Sequence, residues 1–250
     1  MGLIKTRQEI DQMRESGRIV ARTLRLTSEH IRVGITPREL NDIADGLIRA
    51  EGGVPSFLGY RNYPAATCIS VNQVVVHGIP TAIPLEEGDV VSLDFGVVKN
   101  GWHADGAWTY PVGKIGQEAE RLLRVTQEAL NQGIAKARPG NRIGDISSTI
   151  QRYCESNGYG VVRDLVGHGI GQALHEAPHS IPNFGKPGKG EVLKEGMTIC
   201  IEPMINQGTY KVIQLPDKWT VEAADGKYSA HFEHTIAIHR DGAEILTREA

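Results

Sequence analysis

Val90-Val91-Ser92-Leu93-Asp94-Phe95-Gly96, the turn Val98-Lys99-Asn100-Gly101 and the return run Trp102-His103-Ala104-Asp105 decide how this chain folds. Residues 90–93 are β-rich, and Asn100-Gly101 is the strongest short hairpin signal a sequence offers, so two antiparallel strands are expected. With four loop residues and no bulge, Val97 pairs with Trp102. Gly96 then faces His103, Phe95 faces Ala104, and Asp94 faces Asp105. Two carboxylates directly opposite each other on one sheet face repel, and a proton or a cation between them relieves the repulsion. Either aspartate alone reads as a turn cap or a solvated side chain. Together, on an apolar strand pair, they read as a metal site.

At 250 residues the chain is long enough to bury a substantial core. Its net charge of −3 gives no reason to expect a nucleic-acid partner, and no basic run or RNA-binding signature occurs. The three cysteines, Cys68, Cys154 and Cys200, are odd in number and widely spaced, with no CxxC. A disulfide framework or thiolate zinc site is therefore not expected, and a reducing, cytoplasmic compartment is. The start, MGLIKTRQEIDQMRESG, has no long apolar segment of the kind that directs secretion. No later stretch approaches the roughly 18 apolar residues needed to span a membrane.

Working outward from the hairpin, Thr6-Arg7-Gln8-Glu9 reads as a capping box opening a helix that turns Ile10, Met13, Val20 and Leu24 inward. Thr36-Pro37-Arg38-Glu39 is a second, with proline at the first helical position and a helix running to about residue 49. Residues 117–137 and 143–156 are helical by period. Strands are expected at 66–71, 74–77, 90–95, 160–163, 197–202, 220–222 and 229–238. A weak repeat runs through this order. Val33-Gly34-Ile35-Thr36-Pro37-Arg38-Glu39-Leu40 resembles Pro139-Gly140-Asn141-Arg142-Ile143-Gly144-Asp145-Ile146, 106 residues on. Likewise Glu87-Gly88-Asp89-Val90-Val91-Ser92-Leu93-Asp94 resembles Glu195-Gly196-Met197-Thr198-Ile199-Cys200-Ile201-Glu202, 108 residues on. The near-equal offsets imply one domain over 1–250 built from a duplicated unit, roughly 1–113 and 114–250. They make Glu202 the counterpart of Asp94 and bring both to a pseudo-twofold axis.

Three further segments carry chemistry. Gly167-His168-Gly169-Ile170-Gly171, with His175-Glu176, sets histidines among glycines where backbone can approach a ligand. Ile201-Glu202-Pro203-Met204 ends an apolar strand in a carboxylate, and Phe232-Glu233-His234-Thr235 places another before an apolar run. Singly, each fits a satisfied core histidine or a solvated glutamate. Collectively, acids inside apolar or glycine-rich context need partners or a metal. Four carboxylates with an imidazole and no thiolate favour Mn, Fe, Co or Zn in a carboxylate-bridged pair over a structural zinc. Such pairs, about 3.5–4 Å apart, hold a bridging hydroxide and polarise a carbonyl.

Asp94, Asp105, His168, Glu202 and Glu233, with His77 in Val76-His77-Gly78-Ile79-Pro80 and His175 after the glycine-histidine run, resemble the type I methionine aminopeptidases in order and spacing along essentially the whole chain. The resemblance implies an α+β pita-bread fold: two pseudo-symmetric halves with a curved antiparallel sheet backed by helices. It implies two divalent metal ions. Asp94 would ligate one, His168 and Glu202 the other, and Asp105 and Glu233 both. His175 would hydrogen-bond the scissile carbonyl or the developing gem-diolate, and His77 would contact substrate near the leaving amine. Glu202 would carry a proton from the bridging water to that amine, completing what amide cleavage requires. Phe57, Tyr60, Tyr63, Cys68 and Trp219 match pocket positions and make an aromatic cleft suited to a thioether.

The expected reaction is removal of the initiator methionine from nascent chains when the second residue is small. The protein's own Met1-Gly2 terminus would qualify. A monomer is expected, and any association with the ribosome has no motif behind it. Leu174, Gln172 and Gly106 depart from the family's usual residues and bear on substrate fit rather than on metal ligation. Two other readings compete. Prolidases and X-Pro aminopeptidases share the fold and metal set but usually carry an additional N-terminal domain. A non-enzymatic binding protein on the same fold would typically have lost metal ligands.

Overall fold

Both capping boxes form as the sequence dictates. A computed structural model of the chain describes residues 4–249, the Pro178 side chain excepted, so Met1-Gly2 lies outside the described residues. The elements run α1 (Arg7–Ser28), α2 (Pro37–Ala50), β1 (Val54–Pro55), β2 (Cys68–Val71), β3 (Val74–Val76), β4 (Val90–Lys99), β5 (Trp102–Pro111), α3 (Gln117–Ile134) and α4 (Ile143–Ser156). There follow β6 (Gly160–Val161), β7 (Val166–Gly169), β8 (Glu176–Pro182), β9 (Thr198–Ile201), β10 (Met204–Asn206), β11 (Val212–Gln214), β12 (Val221–Ala223), β13 (Ser229–His231), β14 (Glu233–His239) and β15 (Gly242–Ile245). Thr6 accepts from the Glu9 amide while the Glu9 carboxylate answers the Thr6 amide, and Thr36 and Glu39 repeat the exchange. Four otherwise orphaned donors are thus satisfied at the two helix starts.

The principal sheet is antiparallel, ordered β1-β4-β5-β14-β9-β7-β8, with β2 added on β4 and β15 on β14. Outward from the central β5–β14 seam, β4 then β2 lie on one side, and β9 then β7 on the other. Strand alternation divides the faces. Leu93, Phe95 and Val97 of β4 pack with Val20, Leu24, Leu40 and Ile48 of α1 and α2. Ile199, Ile201, Ile236 and Ile238 pack with Leu122, Val125, Ile146 and Ile150 of α3 and α4. Asp94 lies between Leu93 and Phe95, Glu202 directly follows Ile201 and Glu233 stands three residues before Ile236, so all three alternate with the core positions and project from the opposite face.

The hairpin register differs from the expected one. Asn100 and Gly101 alone form the turn, both at positive φ (53° and 79°), so Lys99 pairs with Trp102. Asp94 therefore faces Ala107, and Asp105 faces Gly96. Left-handed geometry at both central residues matches the strand twist, which is why two residues suffice where four were expected. The shift is by two, an even number, so both aspartates keep the same face and become diagonal neighbours. The expected strand at 229–238 is also two strands. It breaks at Phe232, whose amide turns to the Pro203 carbonyl, and β13 joins β10 in a separate three-stranded sheet.

Candidate metal centre and pocket

Five elements deliver side chains to one place. Asp94 lies mid-β4, Asp105 on β5, His168 on β7, Glu202 directly after β9, and Glu233 opens β14. Ligand atoms of Asp94, Asp105 and Glu233 all lie within 4.8 Å of one another, as do those of His168, Cys200 and Glu233. His168 Nε2 stands 3.6 Å from Glu202 Oε1 and 3.9 Å from Asp105 Oδ2. The Thr235 hydroxyl donates to the Asp105 carbonyl at 2.7 Å and accepts from its amide at 2.8 Å, tying β5 to β14 where two carboxylates meet.

Burial dominates the electrostatics. Asp94, Asp105 and Glu233 are no more than 8% exposed. Burial followed by the neighbouring acids pushes Asp94, Glu202 and Glu233 well above the ordinary carboxylate range. Asp105 rises to about 7 through burial, held back by the Gly106 amide and by Asp94. Asp94 Oδ1 and Glu233 Oε1 are buried without a hydrogen-bond partner among the described residues. Unpaired buried carboxylate oxygens are costly. The hard, oxygen-rich donor set and these stranded atoms fit divalent cations. His168 fits too: its Nδ1 lies 3.0 Å from the Gly169 carbonyl, an arrangement that places the proton there and leaves Nε2 as a lone-pair donor. Burial lowers its pKa to about 3, so it is neutral.

The cluster opens on a cavity of about 270 Å³ whose walls include Phe57, Tyr60, Tyr63, Cys68, His77, His175 and Trp219. The Tyr63 hydroxyl donates to the Gly78 carbonyl at 2.9 Å, and its ring meets Trp219 edge-on at 5.0 Å. His77 sits at φ 59°, a conformation that side-chain-bearing residues rarely adopt, and its ring stands edge-on to Trp219 at 6.2 Å. Burial lowers its pKa to about 4. His175 Nδ1 is 3.0 Å from the Tyr60 hydroxyl, and its ring centroid is 4.0 Å from that of His168. The twelve residues expected as metal ligands, catalytic groups or pocket walls all line this cavity.

Leu174 is buried and lines the cavity as well. Gln172 lies outside its lining, with its amide on Glu176 Oε1. A side chain at Gly106 would press on Val20 of α1. One further residue escaped sequence reasoning. His231 is 2% exposed, its Nε2 has no hydrogen-bond partner, and it stands 3.8 Å from Glu202 Oε2. It precedes Glu233 by two, a spacing that hints at a shared face, but its apolar setting reads equally as core. Met204 is a second unforeseen wall residue, with no polar atom to mark it.

The sequence matches the profile of metallopeptidase family M24 over residues 11–240. It is 52% identical over 247 residues to a methionine aminopeptidase of Clostridium perfringens, covering 99% of both chains. The structure superposes on the crystal structure of a methionine aminopeptidase from Thermotoga maritima with a TM-score of 0.96 at 46% identity, covering 98% of this chain and 99% of that one. A prolidase from Pyrococcus furiosus aligns with a TM-score of 0.80 at 26% identity, and there the chain covers 66% of the larger protein.

Proposed function

The chain belongs to metallopeptidase family M24, among the bacterial type I methionine aminopeptidases of pita-bread fold, and we propose how its residues perform that reaction. The protein is a metallo-aminopeptidase that removes the initiator methionine from nascent polypeptides whose second residue is small. The observation that carries the residue assignments is the buried acidic cluster with two stranded oxygens, opening on an aromatic and thiol-lined cavity.

Asp94 would hold one of two divalent ions and His168 and Glu202 the other, with Asp105 and Glu233 available to both; Mn, Fe, Co and Zn all suit this donor set. When bound, the ions supply Lewis acidity and a water deprotonated near neutral pH. Phe57, Tyr63, Cys68 and Trp219 enclose the methionine side chain, and Tyr60 closes that pocket toward His175. With the Tyr60 hydroxyl, 3.0 Å from His175 Nδ1, as the donor, the His175 proton sits on Nε2, free to donate to the scissile carbonyl as negative charge develops on its oxygen. Glu202, raised by burial and with a side chain 13% exposed at the cavity wall, takes a proton from water and passes it to the leaving amine. His77, neutral and held in strained backbone, contacts the substrate beyond the scissile bond. The enzyme acts in the cytoplasm as a monomer, on chains as they leave the ribosome.

The test is cleavage of Met-Gly-Met-Met and Gly-Pro-Met by metal-free protein, before and after Mn or Co is added. Metal-dependent release of methionine from the first peptide alone is expected. Cleavage of only the Gly-Pro bond would move the chain to prolyl specificity. Inertness of folded protein toward both, with any metal, would favour a binding role.

A further inference from the structure

We propose that Lys5 is a positioning residue: its buried ion pair with Glu176 holds the loop that presents His175 to the substrate carbonyl. The inference rests on the reading of His175 given above. Lys5 directly precedes Thr6, the N-cap of α1, and its amide donates to the Gly196 carbonyl at 2.7 Å. Its side chain, 4% exposed, crosses to the first residue of β8, placing Nζ 2.5 Å from Glu176 Oε2. The other oxygen, Glu176 Oε1, accepts from the Gln172 amide at 2.9 Å. One carboxylate thus ties the segment before α1 to both ends of the loop at 171–176. Gly171 makes room for the tie, since a Cβ there would run into Glu176 Oε1 and Lys5 Cε.

The remaining backbone anchors of this loop are few. The Gly171 amide bonds to Ala173 within it, and the Gly171 carbonyl accepts from His103 at 2.7 Å. Gln172, Ala173 and His175 are exposed. Glu176 is the residue next to His175, so the direction in which its carboxylate is pulled sets the backbone from which the imidazole projects. His175 lies in the bend that leads directly into β8. A carboxylate fixed toward Lys5 therefore constrains the backbone from which the imidazole enters the cavity, beside His168 and Tyr60. Buried ion pairs are weak devices for stability, because both ions lose their hydration, and they are better suited to setting register. This one joins positions 171 residues apart in the chain.

The test compares kcat and KM for Met-Gly-Met-Met across Lys5→Met, Lys5→Arg, Lys5→Met/Glu176→Gln and His175→Ala, each loaded with Mn and with its metal content measured. In Lys5→Met, kcat is expected to fall about 10- to 100-fold, the scale of an ångström-level misplacement. KM should stay within about threefold, because Phe57, Tyr63, Cys68 and Trp219, which enclose the methionine side chain, lie outside the loop, and metal content should not change. Lys5→Arg restores most of kcat. Amide exchange across residues 170–176 of the metal-free variant quickens, while that of β4 and β14 does not. In a His175→Ala background, Lys5→Met has little further effect on kcat, an outcome a purely structural role would not produce. If Lys5→Met does not fold, the double variant decides, because it removes the pair without stranding a charge; it too should lose kcat. A kcat within about twofold of the wild type in whichever variant folds overturns the proposal. Loss of kcat in His175→Ala beside normal Lys5→Met would sink this inference alone. Normal kcat in His175→Ala would sink the reading beneath it.

Discussion

Asp94 and Glu233 each bury a carboxylate oxygen that nothing among the described residues satisfies. Such atoms are sustained by a ligand or a proton, so removing either side chain should release the metal and not merely loosen it. Asp94→Ala and Glu233→Ala are each expected to lose turnover together with at least one metal equivalent, read by elemental analysis of the purified protein. Near-normal activity in Glu233→Ala would refute its bridging role. His175 makes the opposite prediction. It sits outside the acidic cluster, with its ring against that of His168. His175→Ala should keep its full metal content while kcat falls about 10²- to 10³-fold, the usual cost of losing one donor to a developing oxyanion. Metal loss in that variant would place the imidazole among the ligands instead.

The β4–β5 hairpin shows which part of an element the sequence makes legible. The side-chain period of a strand is two, so a register error of two leaves every residue on its proper face. Asp94 and Asp105 were therefore readable as a shared site although their pairing was not. The pairing depended on whether Asn100 and Gly101 would turn the chain alone, which is settled by φ and not by composition. Gly101→Ala tests that geometry: φ is 79° and the space around it is open, so the cost is conformational. A loss of about 1 kcal/mol in unfolding free energy is expected from chemical denaturation, with little change in metal affinity. β7 and β8 were illegible for a different reason. Gly167 and Gly169 carry no side chain because the Cys200 and Glu176 carbonyls pass too close for one, so His168 lies in a strand that reads as a loop. The break at Phe232 was hidden in the same way, since a change of sheet leaves the apolar run unbroken. The ligand types were readable from the residues themselves. The separate roles of His77, His168 and His175 rest on the family resemblance, because one glycine-flanked histidine looks like another until its neighbours are known.

Across the whole molecule, the two halves meet at the β5–β14 seam, and the acids gathered there make stability depend on metal and pH together. In the metal-free protein burial raises Asp94, Glu202 and Glu233, and takes Asp105 to about 7, from ordinary carboxylate values near 4. Over that interval the native state therefore holds more protons than the unfolded chain. Stability contributed by these groups is complete below about pH 4 and is lost as pH rises through their folded values. Glu233→Gln imitates the protonated form and should escape its share of that loss. Thermal melts of metal-free protein are expected to give wild type and Glu233→Gln similar Tm values near pH 4 to 5, with the variant the more stable at pH 7. Adding Mn or Co at pH 7 should reverse the order, because cations bind the native wild-type cluster and displace its protons, whereas the amide is a poor bridge. A wild type that gains no Tm with metal would remove the cation from the account of the seam. A variant no more stable than wild type at pH 7 without metal would mean that the charge on Glu233 is neutralised by the protein itself.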